Sequence, residues 1–220
     1  MSGRAKLGVL VSGSGSNLQA LLDACARADY PAEVALVVSN VPTAFALERA
    51  RTAGVAARAL DHKTFGSRAD FEKALGDALE AAGVEWVCTA GFMRLLGADF
   101  LGRFPGRVLN IHPSLLPAFP GLHAQRQALE RGVKVAGCTV HFVDPGMDTG
   151  PILAQAAVPV LSGDDEAALS ARILAAEHRL YPLAVKLAVT GAVRLENGRA
   201  VSSVGPSVDA AGLRNPGEPG

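Results

Sequence analysis

Asn110-Ile111-His112-Pro113 and, further along the chain, Asp148 supply an amide, an imidazole and a carboxylate. Asn110 and His112 follow the apolar pair Val108-Leu109, which reads as the end of a strand. Side chains alternate along a strand, so these two leave on the same side. Pro113 removes a backbone donor and ends regular pairing there. Open α/β sheets hold their ligands at the carboxyl ends of strands. An imidazolium and a carboxamide can both donate to an oxygen that gains negative charge, as acyl transfer requires at its tetrahedral intermediate. A carboxylate beside an imidazole favours the protonated ring and can take up a proton shed by an attacking amine. Ser114 stands nearby but lacks a G-x-S-x-G elbow, so no side-chain nucleophile is indicated.

Each of these residues also has a plainer structural reading. A lone His at a strand end is usually a hydrogen-bonded structural residue. Asn two positions before it and Pro directly after it tilt the balance toward function. In the loop Asp144-Pro145-Gly146-Met147-Asp148-Thr149-Gly150-Pro151, Asp144 reads as a turn residue and Asp148 as the functional candidate. His112, His141 and Asp148 would suit a zinc triad by type. No close-spaced ligand pair such as H-E-x-x-H accompanies them, so a supporting or structural role for His141 is the more economical reading.

The elements that must position these groups alternate between strand and helix. Apolar strands are predicted at 7–11, 34–39, 55–60, 84–89 and 108–112, with helices after Asn17, at 44–53, from Ser67 to about residue 82, and at 98–104. This order implies a doubly wound, mostly parallel α/β sheet with right-handed crossovers. The pattern changes after the fifth strand. A proline-rich loop covers 113–121 and a short helix 123–130. Strands at 135–143 and 152–160 flank a loop and are expected to be antiparallel. A long helix spans about 166–190, with Pro182 as a kink candidate. Asn197-Gly198 centres a terminal hairpin. From Gly205 the Gly- and Pro-rich chain is expected to be disordered.

The first strand runs into Ser12-Gly13-Ser14-Gly15-Ser16-Asn17, and Leu18, Leu21, Leu22 and Cys25 follow at helical spacing. A glycine turn that opens a helix offers backbone N–H groups and a positive dipole end to an anion. The dinucleotide fingerprint fails twice: Leu18 replaces its third glycine, and the second strand ends in Ser39-Asn40 rather than an acidic residue. NAD is therefore disfavoured, and no Lys completes a Walker loop. A phosphomonoester on a small substrate fits better; a ligand-free structural turn competes evenly. Phe92, Met93, Leu95 and Leu96 surround Arg94 where the fourth strand ends. Core packing is the default there, and a pocket for a flat aromatic ligand is the alternative. His62 is expected in an exposed loop and His178 on a helix surface.

Composition narrows the class. The 220 residues are 49% hydrophobic, enough for a sizeable core. Lys+Arg and Asp+Glu each total 21, and no basic block occurs, which speaks against a nucleic-acid partner. Cys25, Cys88 and Cys138 are widely spaced, with no C-x-x-C, and read as buried thiols in a reducing compartment. No signal peptide or membrane-length apolar run is present, so a soluble cytoplasmic protein is expected, with no membrane partner.

Taken together, Ser12-Gly13-Ser14-Gly15-Ser16-Asn17-Leu18-Gln19-Ala20, Ala90-Gly91-Phe92-Met93-Arg94, Asn110-Ile111-His112-Pro113-Ser114-Leu115-Leu116-Pro117 and Asp148-Thr149-Gly150-Pro151-Ile152 resemble the phosphoribosylglycinamide formyltransferase family. The resemblance covers about residues 5–200 in order. The Asn110 motif alone marks the wider formyltransferase superfamily, and the glycine turn narrows it. The resemblance implies a Rossmann-like formyltransferase domain over 1–204. Its phosphate-binding half would be about 5–104 and its catalytic and folate half about 105–204. It implies 10-formyltetrahydrofolate as co-substrate, glycinamide ribonucleotide as acceptor, and no metal. Asn110, His112 and Asp148 would be catalytic, and Gly15, Ser16 and Asn17 would hold the substrate phosphate. Glu177 would hold the substrate amine, which revises the surface reading beside His178. Arg68 would meet the folate's acidic tail, and Met93, Arg94, Leu95, Leu96, Asn110, Asp144 and Asp148 would line the folate. His141 and Ser114 would support them, and a homodimer stays open. The family often carries Asn where this chain has Ser14. Backbone groups do the binding there, so the departure matters little.

Rivals separate on sequence features. A methionyl-tRNA formyltransferase would need a further RNA-binding region and basic surface. A formyltetrahydrofolate deformylase normally carries an extra N-terminal domain, whereas here the first strand starts at Leu7. A sugar-nucleotide formyltransferase would not need this phosphate turn. A non-catalytic nucleotide-binding module would neither bind folate nor depend on Asp148.

Overall fold

The apolar run Ala5–Val11 forms β1, whose last five residues are buried. The computed structural model describes residues 3–209 and 212–217, and the chain divides into two units, Met1–Asn110 and Ile111–Gly220. In the first, β1, β2 (Ala32–Ser39), β3 (Ala57–Ala59), β4 (Trp86–Thr89) and the part of β5 (Val108–His112) up to Asn110 lie in the order β5-β4-β1-β2-β3. All four pairings are parallel, as the strand–helix alternation predicts. The strand order reverses between β1 and β4, so their carboxyl ends form the switch point where such sheets bind ligands. The helices are α1 (Ser16–Cys25), α2 (Phe45–Thr52), α3 (Arg68–Ala81) and α4 (Ala98–Arg103). Ser67 caps α3 by accepting the Asp70 N–H at 3.1 Å. One face of α3, with Phe71, Leu75, Ala78 and Leu79, is buried. β3 is shorter than its apolar run suggests.

In the second unit, α5 (Ala124–Glu130) precedes β6 (Val135–Phe142) and β7 (Ile152–Pro159), which pair antiparallel as expected. The helix α6 (Glu166–Val189) packs on both strands and continues through Pro182. Asp165 caps it by accepting the Ala168 N–H at 2.7 Å. β8 (Val193–Glu196) and β9 (Arg199–Ser202) form the hairpin signalled by Asn197-Gly198, both with positive φ.

The segment after Gly205 differs from the disorder that its composition predicts. Ser207–Asp209 forms β10 and Gly212–Asn215 forms β11. β11 pairs antiparallel with β7, and β10 pairs with β11. Without them β7 would present an open edge, and its backbone groups pair with any extended segment whatever the side chains. Residues 210–211 and 218–220 of that tail lie outside the described residues.

Candidate active site

β5 ends in His112, which is buried. Its Nε2–H donates to the carbonyl of Phe119 at 2.9 Å, and its Nδ1 faces Asp148 Oδ2 at 3.4 Å. That carboxylate oxygen also accepts the backbone N–H of Gly121 at 2.8 Å. The other oxygen, Oδ1, faces His141 Nε2 at 3.7 Å. His141 in turn gives its Nδ1–H to the carbonyl of Phe142 at 2.9 Å. The β6–β7 register shifts between Val140 and His141, the kind of irregularity that re-aims a side chain beside a site. Asp148 itself has φ 55°, a left-handed conformation that Asp tolerates better than most residues. Burial is the largest single influence on its carboxyl and pushes its pKa up. The nearby His141 ring and the Gly121 N–H, with the electrostatic influence of His112 and His141, outweigh it and hold the pKa below the usual value.

Two imidazoles on one carboxylate invite a metal reading. Among the described residues, no group of three or more His, Cys, Asp or Glu is arranged to hold an ion.

The loop after His112 is held by a buried hydroxyl. Thr139 Oγ1 accepts from Leu116 N at 3.0 Å and Gln155 Nε2 at 3.0 Å, and donates to Ser114 O at 2.7 Å. Gln155 Nε2 also reaches Leu116 O at 2.9 Å. Ser114 donates its own hydroxyl to Ala118 O at 2.5 Å, which makes it a loop brace rather than a nucleophile. Gly137 on β6 leaves no room for a Cβ, which would collide with the Ala156 carbonyl oxygen of β7 and stand 2.8 Å from Leu115 Cδ2.

In the first unit, Asn110 Oδ1 accepts from Thr89 Oγ1 at 2.6 Å. That length suits O–H···O better than N–H···O, so it fixes the amide with its NH₂ turned away from Thr89. The glycine turn is braced by α2. Ala46 N–H donates to Gly13 O at 3.1 Å, and Arg49 Nε–H to Ser14 O at 2.8 Å. Gly15 has φ 74°, and a Cβ there would meet Ala46 Cβ at 2.6 Å. Only glycine fits both conditions. Ser16 and Asn17 then open α1 with no side-chain cap. The first N–H groups of that helix are the kind that bind anions.

The apolar run beyond β4 splits. Phe92 and Leu96 are buried, whereas Met93 is 66% and Leu95 48% exposed. The guanidinium of Arg94 lies 5.8 Å from the Phe71 ring centre. Arg68 Nε–H donates to Glu72 Oε1 at 2.6 Å, and the half-exposed guanidinium projects beyond it. Asp144 Oδ1 accepts from Thr149 Oγ1 at 2.7 Å and from Gly146 N at 3.1 Å, so it shapes its own loop. Glu177 is buried on α6. Burial, and after it the charge of Glu177, push the Cys138 thiol pKa up. His62 is not in an exposed loop. It sits partly buried in a 3-10 turn, its Nδ1 3.1 Å from Asn40 O.

The structure thus brings His112, His141 and Asp148 together in the second unit, and Asn110 and Thr89 together in the first. Sequence reasoning did not anticipate Phe119, Gly121, Thr139, Gln155 or Thr89. The first two act through backbone atoms and carry no side-chain signal. Thr139 and Gln155 are polar residues inside two expected strands, and it is the register that pairs them.

The formyl transferase family model matches residues 5–185. Phosphoribosylglycinamide formyltransferase of Escherichia coli K12 is 45% identical over 192 residues, which cover 87% of this chain and 91% of that protein. The crystal structure of glycinamide ribonucleotide transformylase 1 from Symbiobacterium toebii superposes with a TM-score of 0.89 at 56% identity, covering 91% of this chain and 94% of that one. The trifunctional purine biosynthetic protein adenosine-3 of Drosophila melanogaster is 52% identical over 190 residues, 86% of this chain, which spans 14% of its length. The chain belongs to the formyl transferase family and groups within it with the phosphoribosylglycinamide formyltransferases.

Proposed function

We propose that the chain transfers the formyl group of 10-formyltetrahydrofolate to the amine of glycinamide ribonucleotide in purine biosynthesis. The observation that carries this reading is the buried His112–Asp148 pair, 3.4 Å apart, in a chain 45% identical to a phosphoribosylglycinamide formyltransferase. The substrate phosphate sits on the backbone of Gly15, Ser16 and Asn17, and Glu177 holds the amine. The folate lies along Met93, Arg94, Leu95, Leu96 and the 144–148 loop, with Arg68 at its acidic tail.

The amine nitrogen attacks the formyl carbon, and the carbonyl oxygen takes the negative charge. Asn110, with its NH₂ donors oriented by Thr89, and protonated His112 stabilise that oxyanion. Both ring nitrogens of His112 face protein oxygens. Donation to the oxyanion therefore replaces the Phe119 bond. Asp148 relays the amine proton toward the folate nitrogen as the carbon–nitrogen bond to folate breaks. No covalent enzyme intermediate forms. Among the described residues, no helix is long and apolar enough to cross a membrane. A cytoplasmic site of action completes the reading.

The test is an absorbance assay of tetrahydrofolate release, run with and without glycinamide ribonucleotide. Release that requires the amine is expected. Release without it indicates a deformylase, and no release indicates a binding module.

A further inference from the structure

The turn that leaves β4 is gripped from two sides by one residue at the exit of β1. The backbone N–H of Ser12 donates to Gly91 O at 3.1 Å. Its side-chain Oγ accepts the backbone N–H of Met93 at 2.9 Å. The hydroxyl itself donates to Asn40 Oδ1 at 2.6 Å. Asn40 is itself buried at the end of β2. A single serine, held in place by β2, therefore closes on Gly91-Phe92-Met93.

The far end of the same stretch is held too. Gly97 N–H lies 3.1 Å from each carboxylate oxygen of Glu72 on α3. Between these two anchors the side chains of Met93 and Leu95 face outward. The stretch stands at the switch point between β1 and β4.

An exposed backbone N–H such as that of Met93 is satisfied almost as well by water as by a hydroxyl. The Ser12 bond therefore does little for overall stability, and its consequence is the position of the backbone. We propose that Ser12 is a positioning residue for the folate. Its hydroxyl fixes the peptide of Met93, and so the edge against which the flat ring system of the folate lies. This rests on the reading that residues 93–96 receive that ligand. The substrate phosphate uses the turn that follows Ser12, through backbone N–H groups that this bond does not touch.

The experiment compares wild type, Ser12→Ala and Ser12→Thr, with KM measured separately for 10-formyltetrahydrofolate and for glycinamide ribonucleotide. Ser12→Ala is expected to raise the folate KM about fivefold, the equivalent of one ordinary hydrogen bond. The glycinamide ribonucleotide KM should stay within about twofold, and Ser12→Thr should restore the folate KM because it keeps the hydroxyl. A merely destabilised protein would shift both KM values or neither. An unchanged folate KM in Ser12→Ala, or equal shifts in both constants, overturns the role. If the alanine variant does not fold, Ser12→Cys, similar in size but a weak acceptor, gives the same comparison. A wild-type protein with no folate turnover overturns the proposed reaction, and this inference with it.

Discussion

Asp148 Oδ2 accepts the backbone N–H of Gly121 at 2.8 Å, across 27 positions of sequence. This bond ties the loop after β6 to the loop after β5. It also orients the carboxylate so that one oxygen faces His112 and the other His141. The acid–base pair is therefore set by a backbone group of a residue that has no side chain. Substitutions that spare this geometry should be separable from those that break it.

His112→Ala should lower kcat by about 10²–10⁴, the range for losing a proton-transfer or oxyanion-stabilising group. Both KM values should change far less. Steady-state kinetics checks this, and a fall confined to substrate affinity would remove His112 from the chemistry.

Asp148→Asn keeps a residue type that tolerates the left-handed backbone, so it removes charge without adding strain. The Asp148 pKa is held below its ordinary value in the folded chain. Its charged form therefore contributes stability above the unfolded value of about 3.9, and that contribution is lost as pH falls through the lower folded value. Urea denaturation of both proteins between neutral pH and about pH 3 should show wild type more stable at neutral pH. The gap should narrow on acidification. A constant gap would mean that the carboxylate's charge is not what holds the loops.

Thr139→Val swaps a hydroxyl for a methyl of similar size. Leu116 N–H, one Gln155 bond and Ser114 O would lose their partner in a fully buried place. A loss of about 2–4 kcal/mol is expected, since one buried unsatisfied group already costs about 1–3 kcal/mol. Chemical denaturation measures it, and kcat should fall as well because the loop whose Gly121 N–H orients the Asp148 carboxylate loosens.

Gly15→Ala places a Cβ 2.6 Å from Ala46 Cβ at a positive φ. Overpacking of about 1–3 kcal/mol is expected. The turn must shift to relieve it, so the glycinamide ribonucleotide KM should rise while the folate KM holds. A selective rise in the folate KM would place the phosphate elsewhere.

Much of the first unit is legible in the chain. The apolar runs at β1, β2, β4 and β5 read as buried parallel strands because such strands are apolar on both faces. Ser67 and Asp70 announce the start of α3, and Gly13 and Gly15 announce the turn. The second unit is less legible. β10 and β11 arise from backbone pairing on the edge of β7, which does not need an apolar pattern. Thr139 and Gln155 looked like ordinary strand residues, and only the register reveals that they face the loop after His112.

The sequence alone determined which chemical groups are available and which elements carry them. Asn110 and His112 share a strand by alternation, and Asp148 lies in a glycine- and proline-rich loop. Tertiary structure alone decided that Asp148 reaches His112 and that His141 shares the carboxylate. It also decided that Phe119 and Gly121 complete the set. The physical reason is that those last two contacts use backbone C=O and N–H, which every residue but proline offers. Their meeting depends on the path of two loops through left-handed turns at Phe119 and Asp148. Spacing along the chain carries no trace of that path.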